Sequence, residues 1–233
     1  MSRKISFAPG EYYHLYNRGF DKRQTFLDRR DHIRFLASLY LANSKKLFHP
    51  SDWLGKNIED IFKSVSIGLN NNLIDIGAYC LMPNHFHILV REKKDGGVSG
   101  VMHKLQTGYT MYFNKKYQRT GGLFESTFKA RHVDDDRYLN YLLAYIHLNP
   151  VKTVDPKDWE SKTIRNKDTA REFLNNYEYS SYHAYRGSPR PHNKILTRSN
   201  FPDYFQGRKD FSHFIDEWIN FDDDDDSHVK AKP

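Results

Sequence analysis

Residues 73–90 read LIDIGAYCLMPNHFHILV. Two apolar runs, 73–81 and 85–90, flank the turn residues Met82-Pro83-Asn84. Runs this close cannot be joined by a parallel crossover, which needs a dozen or more residues, so they predict an antiparallel hairpin. Side chains alternate along a strand, so His85 and His87 share one face while Phe86 and Ile88 take the other. The second face has a reason to be buried. The two imidazoles stand roughly 7 Å apart along the backbone. They can converge on one cation or serve as a pair of hydrogen-bonded surface histidines, and spacing alone leaves both readings open.

Working outward, EYYHLYNR at 11–18 alternates like a strand, and Gly19 opens a turn carrying Arg18, Lys22 and Arg23. From Asp28 to Leu41, the residues Ile33, Phe35, Leu36, Leu39 and Tyr40 recur at helical spacing. Residues 44–72 read as an insertion, with a loop at His49-Pro50-Ser51-Asp52, a short helix over 52–65 and a breaker at Asn70-Asn71-Asn72. Beyond Gly96-Gly97, the positions Val98, Val101, Met102, Leu105, Tyr109, Tyr112 and Phe113 predict a second helix with one buried face. Gly121-Gly122 ends it, and LFESTFKARHV at 123–133 predicts a strand. Asp134-Asp135-Asp136 supplies an N-cap for a third helix that Pro150 stops. The order strand, helix, insertion, strand, strand, helix, strand, helix predicts an α+β fold, an antiparallel sheet with helices packed on it.

On the third helix, Leu139, Leu142, Leu143 and Ile146 form a core stripe, and Tyr145 and Asn149 are one turn apart beside it. A tyrosine hydroxyl becomes a nucleophile when a nearby cation lowers the cost of its deprotonation, and an asparagine could lend that cation an oxygen. Equally, Tyr145 can pack on the sheet while Asn149 caps the helix ahead of Pro150. Tyr109 falls on the apolar face of its own helix and reads as core. His103, His132 and His147 lie near these motifs without a spacing that brings them to His85 and His87.

The 233 residues suffice for a sizeable core, and 38% hydrophobic with 28% charged residues excludes a disordered acidic chain and a membrane protein alike. Neither a spanning helix nor an apolar signal segment appears, which predicts a cytoplasmic protein. One cysteine, Cys80, excludes an internal disulfide framework and a thiolate zinc cluster. Residues 1–200 carry 32 Lys and Arg against 20 Asp and Glu, a net +12, whereas 201–233 carry 4 against 9. A body so basic predicts a polyanionic partner, nucleic acid rather than membrane. Its candidate phosphate contacts are Arg18, Lys22, Arg23, Lys115, Lys116, Arg119, Lys129 and Arg131. The run Asp222 to Asp226 reads as a solvated tail.

YCLMPNHFHILV at 79–90 resembles the HUH motif of single-tyrosine HUH endonucleases, and more specifically that of the REP-associated tyrosine transposases. Three further blocks carry the resemblance in order: YHLYNRGFDKRQTF at 13–26, GLFESTFKARHVDDDRYLNYLLAYIHLNPVK at 122–152 and YEYSSYHAYRG at 177–187. The resemblance implies a ferredoxin-like antiparallel sheet over residues 1–187, with the insertion at about 44–72 and residues 188–233 as a C-terminal extension. It implies His85 and His87 as metal ligands, Tyr145 as nucleophile, and Asn149 where relatives carry a third ligand, usually Gln. The implied cofactor is a divalent metal, Mg2+ or Mn2+. The implied reaction is site-specific cleavage and strand transfer on single-stranded DNA bearing REP-like hairpins, through a 5′-phosphotyrosine, in a nucleoid-associated protein of the cytoplasm. Two rivals stand beside it: a hairpin-DNA-binding protein of the same fold without turnover, and a metallohydrolase using water. Relatives include monomers and dimers, and the C-terminal extension favours a monomer.

Overall fold

A computed structural model describes residues 5–46, 60–68, 71–154, 164, 166–205 and 207–220. The hairpin is present, with strand β2 over Ile74–Met82 and β3 over His85–Glu92 around Pro83-Asn84. β1, Tyr12–Arg18, pairs antiparallel with β3, and β4, Lys129–Val133, pairs antiparallel with β1, giving the order β2-β3-β1-β4. Helix α1, Arg29–Ala42, connects β1 to the hairpin, and α3, Gly97–Lys116, connects the hairpin to β4. Both pack on one face of the sheet against Leu15, Phe86 and Ile88. This is the ferredoxin-like α+β arrangement. A short α2, Asp60–Ser64, is the described end of the helix read over 52–65, whose residues 52–59 lie outside the described residues.

Local chemistry sets the element ends. Asp28 caps α1 by accepting from the Asp31 amide at 2.9 Å, and Asp135 caps α4, Asp136–Leu148, by accepting from Tyr138 at 2.7 Å. Gly97 starts α3 where a Cβ would lie 2.7 Å from the Leu73 carbonyl oxygen, so only glycine lets this helix approach the sheet. The buried Asp31 carboxylate ties α1 to α3: it accepts from the Tyr112 hydroxyl at 2.9 Å, the Tyr117 hydroxyl at 2.8 Å and Lys116 Nζ at 2.7 Å.

The strand expected over 123–133 is shorter, because only 129–133 enters the ladder. Residues 123–128 instead wrap the end of β1. Phe124 bridges to Gly19, the Glu125 amide donates to the Arg18 carbonyl, and Asn17 Nδ2 donates to the Ser126 carbonyl. Leu123 and Phe128 point into the core, which accounts for the strand-like composition of a looping segment.

The opposite face of the sheet receives α4 and the C-terminal elements α5, Lys167–Asn176, α6, Tyr182–Tyr185, and α7, Arg208–Asn220. Leu142, Ile146, Phe211 and Ile215 bury there against Ala78, Cys80 and Leu89. The free side of β2 is occupied by the same part of the chain. The Leu81 amide donates to the Tyr179 carbonyl, the Ser181 amide to Tyr79 and the Thr197 amide to Ile76, each at 2.9 Å. The run Asp222 to Asp226 lies outside the described residues.

Candidate active site

Cross-strand register builds the site. Tyr16 lies opposite His87 and Arg18 opposite His85, so these side chains share the face that α4 covers. Tyr145 descends from α4 onto this face. Its ring centroid lies 5.3 Å from His87 at 83°, and the His85 and His87 rings lie 5.0 Å apart at 89°. Together with Asn17, Asn84, Glu125, Lys129 and Lys152 they line an open cavity of about 350 Å³.

The histidine rings are oriented by their neighbours. Asn84 Nδ2 donates to the Lys22 carbonyl at 3.0 Å, which leaves Asn84 Oδ1 to accept from His85 Nδ1 at 2.6 Å. His87 Nδ1 meets His14 Nε2 at 2.8 Å, while His87 Nε2 is buried without a hydrogen-bond partner among the described residues. Burial holds His85 down to about 4 and His87 well below the ordinary imidazole value, reinforced by Lys152 and, for His87, by the neighbouring histidines. Both rings are therefore neutral near pH 7, the form that ligates metals. Burial raises the Tyr145 phenol above its ordinary value, and a hydrogen bond from the Asn149 side chain opposes that rise.

Asn149 is 1% exposed and its Nδ2 donates to the Tyr145 carbonyl at 2.9 Å, the helix-capping role that the sequence allowed. Its side-chain oxygen is the atom that remains for a ligand. Among the described residues no group of three or more His, Cys, Asp and Glu is placed to hold a metal ion. The chemistry of the two neutral imidazoles, His87 with a buried nitrogen that has no hydrogen-bond partner among the described residues, suits a divalent cation, whereas Asn149 is not among the residues that line the cavity.

Of the cations nominated from sequence, Arg18 and Lys129 line the cavity, and Arg18 Nε is 2.9 Å from Glu125. Lys22 and Arg23 stand exposed in the turn beyond β1, with Arg23 3.7 Å from Asp21. Lys115, Lys116 and Arg119 cluster at the end of α3. Because α3 runs back from the end of β3 to the start of β4, antiparallel topology brings that terminus to the same end of the sheet as His85 and Arg18. Lys115 is exposed, Lys116 is engaged by Asp28 and Asp31 at 2.7 Å, and Arg119 lies over the Phe113 ring. Arg131 sits farther along β4, opposite His14 and over the Tyr138 ring.

Tyr109 is buried and donates to the Thr25 carbonyl, as a core residue. His132 pairs with Glu11, and His147 bonds to Leu143 and Ser181, both away from the cavity. Sequence reasoning missed His14 and Lys152. His14 gave a signal in retrospect, since it alternates in phase with Tyr16 and Arg18. Lys152 follows Pro150 in a 3-10 turn over Asn149–Thr153, and only the fold brings it to the cavity.

A family model described as "Transposase IS200 like" matches residues 30–149, just over half of the chain and inclusive of His85, His87, Tyr145 and Asn149. The chain belongs to the IS200-like transposase family. Among solved structures, this family member resembles one described as "Structure of the REP associates tyrosine transposase bound to a REP hairpin". The TM-score is 0.51 at 11% identity, over 89% of this chain and 92% of that one, a likeness of fold. Among curated proteins no relative matches the sequence. No helix among the described residues of this family member is long and apolar enough to cross a membrane.

Proposed function

We propose that the chain is a metal-dependent, site-specific endonuclease and strand transferase acting on single-stranded DNA with REP-like hairpins, of the REP-associated branch. Residues 1–187 are the catalytic unit and 188–233 an extension of it, working as a monomer in the nucleoid. The observation that carries this reading is the edge-on approach of the Tyr145 ring to His87, in a cavity bordered by Arg18, Lys129 and Lys152. The REP hairpin bound in the structurally similar protein supports a hairpin as the DNA partner.

Three protein groups would hold the cation: His85, His87 and the Asn149 oxygen. When bound, Mg2+ or Mn2+ polarises non-bridging phosphate oxygens and stabilises the charge that builds on them. Tyr145 Oη attacks phosphorus, forming the phosphotyrosine bond as the bond to the 3′-oxygen breaks. The phenolic proton leaves the tyrosine, and the departing oxygen ends as a 3′-hydroxyl. The phosphoester linkage conserves the energy of the phosphodiester, so a 3′-hydroxyl on the same or another strand can reverse the step. Burial disfavours the phenolate, and the hydrogen bond from Asn149 favours it. Arg18, Lys129 and Lys152 hold the strand by its phosphates, while Lys22, Arg23, Lys115, Lys116, Arg119 and Arg131 extend the basic path along that end of the sheet.

Incubation with single-stranded hairpin repeats flanking the protein's own gene, with Mn2+ or Mg2+, tests this. A covalent protein–DNA adduct on a denaturing gel is the expected result. Hairpin retention without an adduct would establish the non-catalytic binding protein, and cleavage without one the water-using hydrolase.

A further inference from the structure

We propose that His14 is a positioning residue for the cation site: it accepts a hydrogen bond from His87 Nδ1 and thereby leaves the His87 lone pair on Nε2. The inference rests on the metal-site reading above. His14 lies outside the span that the family model matches.

The geometry admits two proton arrangements across the 2.8 Å contact between His14 Nε2 and His87 Nδ1. If His14 donates, His87 carries its proton on Nε2. That nitrogen is buried with no partner among the described residues, so the proton would be stranded and the ring could not ligate. If His87 donates, His14 carries its own proton on Nδ1, and His87 Nε2 presents a lone pair. Only the second arrangement makes His87 a ligand. The same logic holds two residues away, where His85 Nδ1 meets the Asn84 oxygen. Both imidazoles are thus set by acceptors on their Nδ1 side, one an amide and the other a ring.

Packing holds His14 in place. It is 5% exposed, its ring stacks on His87 with centroids 5.0 Å apart, and it lies 5.0 Å from Tyr16 and 6.1 Å from Tyr145. A ring wedged among three aromatic neighbours has little freedom to turn its Nε2 away. A neutral acceptor behind a ligand also differs from the carboxylate often found there, because it orients the imidazole without adding negative charge.

The test uses the full chain labelled with 15N-histidine, with His14→Phe, which removes the acceptor, and His14→Gln, whose amide oxygen restores one. Long-range 1H–15N correlations on metal-free protein read the His87 tautomer, and Mn2+ titration followed by EPR reads affinity. Wild type should show the Nδ1–H form. His14→Phe should shift His87 toward Nε2–H and weaken Mn2+ binding about 10- to 100-fold, and His14→Gln should recover most of both. An Nε2–H tautomer in wild type, or unchanged tautomer and affinity in His14→Phe, overturns the proposal. If wild type binds no Mn2+ while His14→Phe still moves the tautomer, the metal reading fails and the orienting role of His14 stands. Should His14→Phe not fold, the wild-type tautomer and its retention in His14→Gln decide the matter.

Discussion

In the proposed reaction Tyr145 is the nucleophile, and a single oxygen separates it from an inert ring. Tyr145→Phe removes the hydroxyl while keeping the ring beside His87 and Tyr141, so cleavage should be lost and hairpin binding should change by less than about threefold. Gel cleavage alongside anisotropy titration checks both, and residual adduct formation would move the nucleophile elsewhere. His85→Ala or His87→Ala should abolish metal-dependent cleavage, as should EDTA added to wild type. Full activity in excess chelator would end the metal role. His85, His87, Tyr145 and Asn149 were legible as candidates only through the resemblance of their motifs to a known family, because alternation along a strand and one-turn spacing along a helix left the structural readings open. His14 was not, because its meaning comes from a neighbouring strand 73 residues away in sequence. A period of two reports only the face, and the partner on that face is fixed by register.

Among the elements, the junction of α1 and α3 is the most vulnerable, since one fully buried carboxylate serves both helices. Asp31→Asn keeps the shape but removes the charge facing Lys116 and replaces an acceptor oxygen with a donor. It should cost about 3 kcal/mol, read as a lower urea midpoint. Gly97→Ala places a Cβ against the Leu73 carbonyl and should cost about 1–3 kcal/mol in the same assay. The hairpin, the helix caps and the apolar stripe of α3 were readable from local sequence. The full length of β4 was not, because Leu123 and Phe128 have strand-like composition while a bridge from Phe124 to Gly19 turns the backbone around the end of β1. Composition reports burial, whereas ladder membership depends on what lies alongside.

Across the whole molecule, charge and buried imidazoles predict opposite sensitivities. DNA affinity should fall steeply with salt, with a log–log slope of about −0.7 to −0.9 for each phosphate contact. Hairpin-bearing single strands should outbind the matching duplex, because a regular helix cannot bend its backbone toward Tyr145. Titrations at two salt concentrations check this, and equal affinity for hairpin, linear strand and duplex would leave only nonspecific basic binding. Stability should respond to acid. Burial lowers His14 and His147 to about 3 and His85 to about 4, so the unfolded chain takes up protons from about pH 6.5 downward while the native fold does not. Stability is thus complete above about pH 6.5 and declines as pH falls toward 4. Thermal melts of metal-free protein at several pH values should show it, and a flat profile would contradict neutral burial.

The occupation of the free side of β2 by residues 179–197 bears on how the chain is made. During synthesis the sheet and its histidines emerge before Tyr179, Ser181 and Thr197 can pair with Tyr79, Leu81 and Ile76. Until then, a nine-residue apolar strand presents unpaired amides and carbonyls, the kind of template on which neighbouring nascent chains aggregate. A chain ending at Asn176 keeps every nominated catalytic residue, yet it should accumulate as insoluble protein. Residues 179–197 thereby cover an edge that would otherwise be left open beside the nominated site.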